Sequence, residues 1–249
     1  MGLTGSGDKR VIEKSGILSR KFPSLCTLYV KSEKDFIECA RRMKEAVSEV
    51  SKKLELSESD AQRLHSLFSD TLEYAENYQS YHRGTRKYID AIMRDICDTK
   101  NTIVDYLSIG FSDDQKEEEL KKFIPKLIKK LKKSFSLGGD EIATLGVKPE
   151  ELERKLKNAL SIVDQKQEVI YVDELGNTLA KTTIESDEAI ELKKKFAEAI
   201  ILLDFEIERL RAWEERLEKS GMIVTTYKKI TKRILEKYYG SYAQGAQGA

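Results

Sequence analysis

The chain reads as an all-α protein, an elongated antiparallel bundle of three long, kinked helices, and three observations carry that expectation. The first is an apolar stripe. From Leu64, alternating steps of four and three residues meet Phe68, Thr71, Ala75, Tyr78, His82, Thr85, Ile89, Ile92, Ile96, Thr99, Ile103 and Tyr106. The same phase runs backwards through Ala61, Ser57, Leu54, Val50, Val47, Met43 and Ala40 to Phe36. Its mean period of about 3.5 is that of helices wrapped around one another. The Leu64–Tyr106 stretch alone would form a rod roughly 60 Å long. The second observation is composition. Of the 249 residues, 35% are charged and only three are proline, against about 25% charged in an average soluble domain, a mixture suited to long solvated helices. The third is punctuation: Ser57, Gly110 and Pro149 fall where helices would begin or end.

Each element follows in order. Residues 1–30 read as a flexible N-terminal segment. There Val11, Ile12, Ile17, Leu18 and Phe22 alternate with Lys9, Arg10, Lys14, Arg20 and Lys21, so the segment could turn helical on a surface. A first helix is expected over about 32–56, with Phe36, Ala40, Met43, Val47, Val50 and Leu54 on one face. Ser57 followed by Asp60 is an N-cap with an acid in the first turn. A second helix then runs over about 58–108, with Gly84 as its weak point and Gly110 past its end. Residues 111–147 look like an insertion ending at Gly138-Gly139. Pro149 suits a first helical turn, and helix is expected from there to about Val172. Asp173–Thr178 is a turn whose flanks would be two helix ends meeting at a tip or, alternatively, a short hairpin. The last helix is expected over about 185–240, with Phe196, Ile200, Leu203, Ile207, Leu210, Leu217 and Val224 inward and Trp213 beside them. Residues 241–249 are low-complexity and read as a disordered tail.

Composition bounds the function. A net charge of +1 means that affinity for any polyanion must come from a local patch. Cys26, Cys39 and Cys97 are odd in number, without metal-ligand spacing, and read as reduced thiols of a cytoplasmic protein. The longest aliphatic run, Ala199–Leu203, is far short of the ~20 residues that span a bilayer, and no secretory signal is expected. Met1-Gly2 with Ser6 fits a loose myristoylation pattern, for which an ordinary flexible start is the plainer account. Catalytic chemistry is sparse, with no glycine-rich phosphate loop, nucleophile elbow or close histidine pair. His82 lies on the stripe, where a hydrogen-bonded interface histidine is expected before a pH sensor or a ligand. Glu188 and Glu191 lack the Glu-x-x-His partners of a di-metal bundle. The expectation is a non-enzyme without catalytic residues, metal or cofactor.

The sharpest functional candidate lies in the insertion. Leu120, Phe123, Ile124, Leu127, Ile128, Leu131 and Phe135 fall on one helical face. Lys121, Lys122, Lys126, Lys129, Lys130, Lys132 and Lys133 occupy the rest, uninterrupted by an acid. Such a helix can lie in a membrane interface, with Phe123, Leu127, Ile128 and Leu131 entering the headgroup boundary and the lysines meeting anionic lipid. The competing account is a solvated helix that packs its apolar face on the rest of the protein. Nucleic acid fits the lysines less well, because the segment has no arginine and only two aromatics for readout and stacking.

The order of parts resembles a BAR domain, the membrane-bending homodimer of long antiparallel helices. Leu72–Leu107, with Tyr78, Tyr81, Tyr88, Ile92, Ile96 and Tyr106-Leu107, is similar to that family's second helix. Lys155–Asp164 resembles the basic-apolar stretch of its distal half. Asp173–Ser186 falls where the family has its tip, and Asp204-Phe205-Glu206 with Tyr238-Tyr239 looks like the last helix returning to the dimer centre. The resemblance spans about residues 30–240 and departs from the family at the 111–147 insertion. It implies dimerisation through the stripe and anionic-lipid binding at Lys155, Lys157, Lys166, Lys181, Lys193, Lys194 and Lys195. The expected function is a non-enzymatic scaffold that binds, curves or stabilises anionic membranes as a homodimer on the cytoplasmic side. The alternative is a coiled-coil adaptor that recruits other proteins without lipid.

Overall fold

The computed structural model of the chain describes residues 21–53, 55–109, 114–134, 148–163, 168–172, 178–183 and 187–240. In order they form α1 (Lys21–Lys52), α2 (Glu58–Ile109), α3 (Asp114–Ser134), α4 (Pro149–Val163), β1 (Glu168–Val172), β2 (Thr178–Thr183) and α5 (Asp187–Ile234), which runs into a π-helical turn at Leu235–Tyr239. Among the described residues the fold is all-α apart from one hairpin. Among the described residues three helices are long, α1 with 32 residues, α2 with 52 and α5 with 48. The expectations for residues 1–20, for the tail 241–249 and for Lys166 lie outside the described residues.

Ser57 caps α2 as its sequence requires. The Asp60 amide donates to Ser57 Oγ at 3.2 Å, and the Ser57 amide donates back to the Asp60 carboxylate at 3.3 Å, a reciprocal box with aspartate at the third position. Lys53 and Ser57 both hydrogen-bond the Asp60 carboxylate and pull its pKa down to about 2. Pro149 opens α4 in the first turn, where its missing N–H costs nothing, and the Lys148 carbonyl accepts from the Glu151 and Leu152 amides.

The hairpin corrects the expected helical tip, and α4 ends at Val163 rather than near Val172. β1 and β2 are antiparallel, with Glu168 opposite Thr183, Ile170 opposite Lys181 and an irregularity between Tyr171 and Val172. Val169, Ile170, Val172, Thr178, Thr182 and Thr183 are β-branched and fit a pleated ribbon better than a helix.

The chain divides into two compact units. One takes Pro23–Ile89 and the residues from Ala212 onward, the other Asp90–Arg211. In the first, α1 and α2 pack with the end of α5. Cys39, Ala75, Tyr78 and Val224 form one buried cluster, and Met43, Ala46, Leu64, Leu67 and Phe68 another. Tyr29 and Trp213 are both buried and stack with ring centroids 4.2 Å apart. The α1 core begins earlier than its sequence suggested, at Leu25, Cys26, Tyr29 and Ser32, whereas Val47 and Val50 are exposed.

In the second unit Ile92, Ile96 and Ile103 of α2, Ile124, Leu127 and Leu131 of α3, and Phe196, Leu203 and Phe205 of α5 are buried. Most α5 residues from Leu202 to Leu210 are buried, with Asp204 and Glu208 on the open side of the helix. The stripe from Leu64 to Ile103 is therefore largely intrachain core. The contacts of its buried residues are made within one chain.

Candidate functional site

α3 displays two chemically distinct faces. Ile124, Leu127 and Leu131 are completely buried and Ile128 nearly so. Lys121, Lys122, Lys126, Lys129, Lys130, Lys132 and Lys133 are exposed, and Phe123 is half-buried. Pro125 lies inside the helix, where it removes a backbone hydrogen bond at a cost of about 3 kcal/mol. Burying each of the four aliphatic side chains contributes about 1.5–3 kcal/mol, so the packed face more than offsets the proline. Lys132 and Lys133 in the last turn suit the negative end of the helix dipole.

Leu127, Ile128 and Leu131, expected to enter a headgroup layer, thus lie on the buried face of the helix. In this structure their face is already covered by the same unit. The sequence pattern required a cover for that face, and the protein itself supplies one.

A polar anchor at the end of α3 fixes its placement on α5. Arg209 Nη1 donates to the Ser134 carbonyl at 2.8 Å, and Arg209 Nη2 donates to Glu206 Oε1 at 2.6 Å. Ser134 Oγ donates to Glu206 Oε2 at 3.2 Å. Glu206 and Arg209 are both fully buried. Burial pushes the Glu206 carboxyl up from its ordinary value, opposed by the Arg209 charge and by the hydrogen bonds from Arg209 and Ser134. Sequence reasoning missed this pair, because an acid and a base three residues apart on a helix resemble an ordinary surface ion pair.

The other expected lipid contacts are dispersed. Lys195 is exposed, while Lys193 and Lys194 are half-buried, and Lys194 pairs with Glu191 at 3.1 Å. Lys155 is already engaged, at 4.8 Å from the Phe205 ring centroid and 3.8 Å from Glu208. Lys157 is exposed on α4. Lys181 lies in β2 opposite Ile170 and is described by its backbone alone. The structure does bring Lys129 and Lys132 of α3 together with Lys195 of α5, around a groove of about 370 Å³.

In the first unit a larger cleft of about 630 Å³ lies between α2 and α5, lined in part by Tyr78, His82, Arg83, Arg86 and Gly221. Leu217 is its anchor: its carbonyl accepts from the Tyr78 hydroxyl at 3.0 Å and lies 3.2 Å from His82 Nε2. Tyr78 also shares a 2.6 Å hydrogen bond with Ser220 Oγ. His82 is thus the half-buried, hydrogen-bonded histidine that its stripe position suggested. Desolvation lowers its pKa below the ordinary 6.5, with the Arg86 charge adding to the effect and the Leu217 bond opposing it.

The cysteines are free thiols, Cys26 and Cys39 buried and Cys97 partly so. Burial pushes the Cys39 thiol up to about 11. Among the described residues no group of three His, Cys, Asp or Glu could hold a metal ion, and no helix is long and apolar enough to cross a membrane. No protein-family model, curated protein or solved structure matches this chain.

Proposed function

We propose that this chain is a non-enzymatic helical scaffold that binds anionic membrane surfaces through the lysine face of α3, paired with a second copy as in the BAR domains it resembles. One observation carries the reading: the apolar face of α3 is docked on its own unit, which leaves the lysines pointing outward. Near an anionic bilayer each such lysine contributes about 1 kcal/mol. A handful acting together gives reversible binding without any inserted wedge. The attraction falls off over a Debye length of about 10 Å at 0.1 M salt, so binding is salt-sensitive.

The test is cosedimentation with phosphatidylserine-containing and neutral vesicles across a salt series. The native protein pellets with anionic vesicles at low salt and is released as salt rises. Changing Lys126, Lys129, Lys130 and Lys133 to Glu abolishes pelleting. Absence of binding at low salt sinks the proposal.

A coiled-coil adaptor is the second reading, and a separate observation favours it. Met222, Ile223 and Ile230 of α5 and Val47 and Val50 of α1 are exposed although strongly apolar, and exposed apolar groups of this kind mark protein-contact surfaces when they are contiguous. A partner captured equally well with and without lipid supports that reading.

A further inference from the structure

The groove between α3 and α5 carries a sharper assignment, which rests on the membrane reading above. It is lined by Lys129, Lys132, Lys195, Glu198, Pro125 and Ile128. Lys129 and Lys132 are three residues apart and so share a side of α3, and Lys195 faces the same groove from α5. Glu198 is the one acid among the described residues of the lining, and it is committed: its Oε1 lies 2.6 Å from Lys132 Nζ. Neither Lys129 nor Lys195 makes a hydrogen bond or ion pair with a described residue. Three ammonium groups and one carboxylate therefore leave the groove with a local charge of about two positive units. At about 370 Å³ it lies within the range of small-ligand sites, about 300–1,000 Å³.

We propose that this groove is a binding site for a phosphomonoester group. Charge decides between anions. A phosphomonoester carries about −1.5 to −2 at neutral pH, which matches the groove's excess, whereas a carboxylate or a phosphodiester supplies a single charge. Lysine's compact, rotatable ammonium suits phosphate as a point charge. Pro125 and Ile128 offer an apolar contact for the carbon skeleton that bears the ester. A lipid headgroup ending in a phosphomonoester and a free phosphorylated small molecule present the same group.

The experiment compares vesicles containing phosphatidate with vesicles containing phosphatidylserine, adjusted to equal surface potential. Alongside, calorimetry measures binding of glycerol 3-phosphate and of inorganic phosphate to the soluble protein. Three proteins are used: native, a Lys129→Gln/Lys195→Gln groove variant, and a Lys122→Gln/Lys126→Gln control with the same charge change. All are exposed lysines, and circular dichroism checks that the helices persist. The native protein prefers phosphatidate by roughly fivefold, the worth of one lysine contact. The groove variant loses the preference, and the control weakens both vesicle types equally. Binding of glycerol 3-phosphate that the groove variant abolishes identifies a soluble ligand as a source, and phosphatidate preference without it identifies the lipid headgroup.

Equal native binding to both vesicles at matched potential, with no binding of either soluble phosphate, overturns the groove assignment but leaves charge-driven membrane binding standing. A groove variant indistinguishable from the control overturns it too. If neither vesicle binds and neither soluble phosphate is taken up, the groove and the membrane reading fall together.

Discussion

Replacing Leu127 or Leu131 by alanine separates a helix that belongs to the core from one that waits for lipid. Both side chains are fully buried in the face of α3 that packs into its unit. Truncating a buried leucine costs about 2–5 kcal/mol, made up of lost transfer energy and the cavity left behind. That is a large share of the roughly 5–15 kcal/mol that holds a typical domain together. Lys126 and Lys129, exposed on the other side of the same helix, should tolerate alanine within about 0.5 kcal/mol. Because the chain has two compact units, a single global midpoint would blur the effect. Hydrogen exchange followed on α3 peptides resolves it: a loss of 2 kcal/mol speeds exchange by opening about thirtyfold. The double variant need not be additive, since the two residues lie one turn apart. Vesicle binding at low salt should survive in either single variant that still folds, because every lysine is intact. The reasoning is refuted if both single variants exchange at the native rate while vesicle binding falls sharply, for then the apolar face would be working in lipid.

Other perturbations test other contacts. Gly84→Ala should stabilise by about 0.5–1 kcal/mol through helix propensity, because the added Cβ would meet only the flexible end of Leu28, at 3.3 Å. Gly221→Ala should lose that gain: its Cβ would lie 3.3 Å from His82 Nε2 and 3.7 Å from the Tyr78 hydroxyl, both tethered to Leu217. The chain's one tryptophan, Trp213, stacked on Tyr29 in the same unit, reports both urea midpoints, and an equal gain at the two glycines would refute the distinction. His82 has a lowered folded pKa, so the unfolded chain binds its proton first. Its contribution is complete above pH 6.5 and is lost as pH falls from 6.5 through the lowered value. His82→Gln should flatten that part of the Trp213 stability profile, and an unchanged slope would assign the pH dependence elsewhere. Arg209→Met should cost about 3–5 kcal/mol by leaving Glu206 buried without its partner, and adding Glu206→Leu should recover much of that loss. A single variant as stable as native by chemical denaturation would contradict the buried pair.

The helical class and most of α2 were legible because one physical rule governs both pattern and packing. The 3.5-residue period from Leu64 to Ile103 is buried nearly throughout, its threonines included. Thr71, Thr85 and Thr99 are accommodated there because each hydroxyl donates to the carbonyl four residues back, at 2.7–2.8 Å. The start of α1 was not legible, because its buried face includes Ser32 and Glu33. Glu33 is tolerated only because Arg216, 183 positions away, reaches its carboxylate at 3.2 Å. No local period encodes such a partner. The hairpin was one of two readings of its segment, and the β-branched content that favours it competes with a weak helical pattern. In α3 the segregation of lysines from aliphatics was plain, but amphipathicity states only that a face will be covered. It does not say by what.

What decides the cover of α3 is polar. Aliphatic side chains gain similarly from a protein core and from acyl chains, so Ile124, Leu127, Ile128 and Leu131 do not by themselves choose between them. The Ser134 carbonyl and hydroxyl do, because Arg209 and Glu206 meet them with hydrogen bonds of 2.8 and 3.2 Å in a fully buried site. Lifting α3 away would strip a buried guanidinium and a buried carboxylate of these partners, and groups of that kind are costly to leave unsatisfied. The docked helix is therefore the stable one, and the side it leaves exposed is the lysine-bearing one. The membrane contact proposed for α3 would then follow the rules of charge: strong at low salt, weak at high salt, and proportional to the lysines that reach the surface.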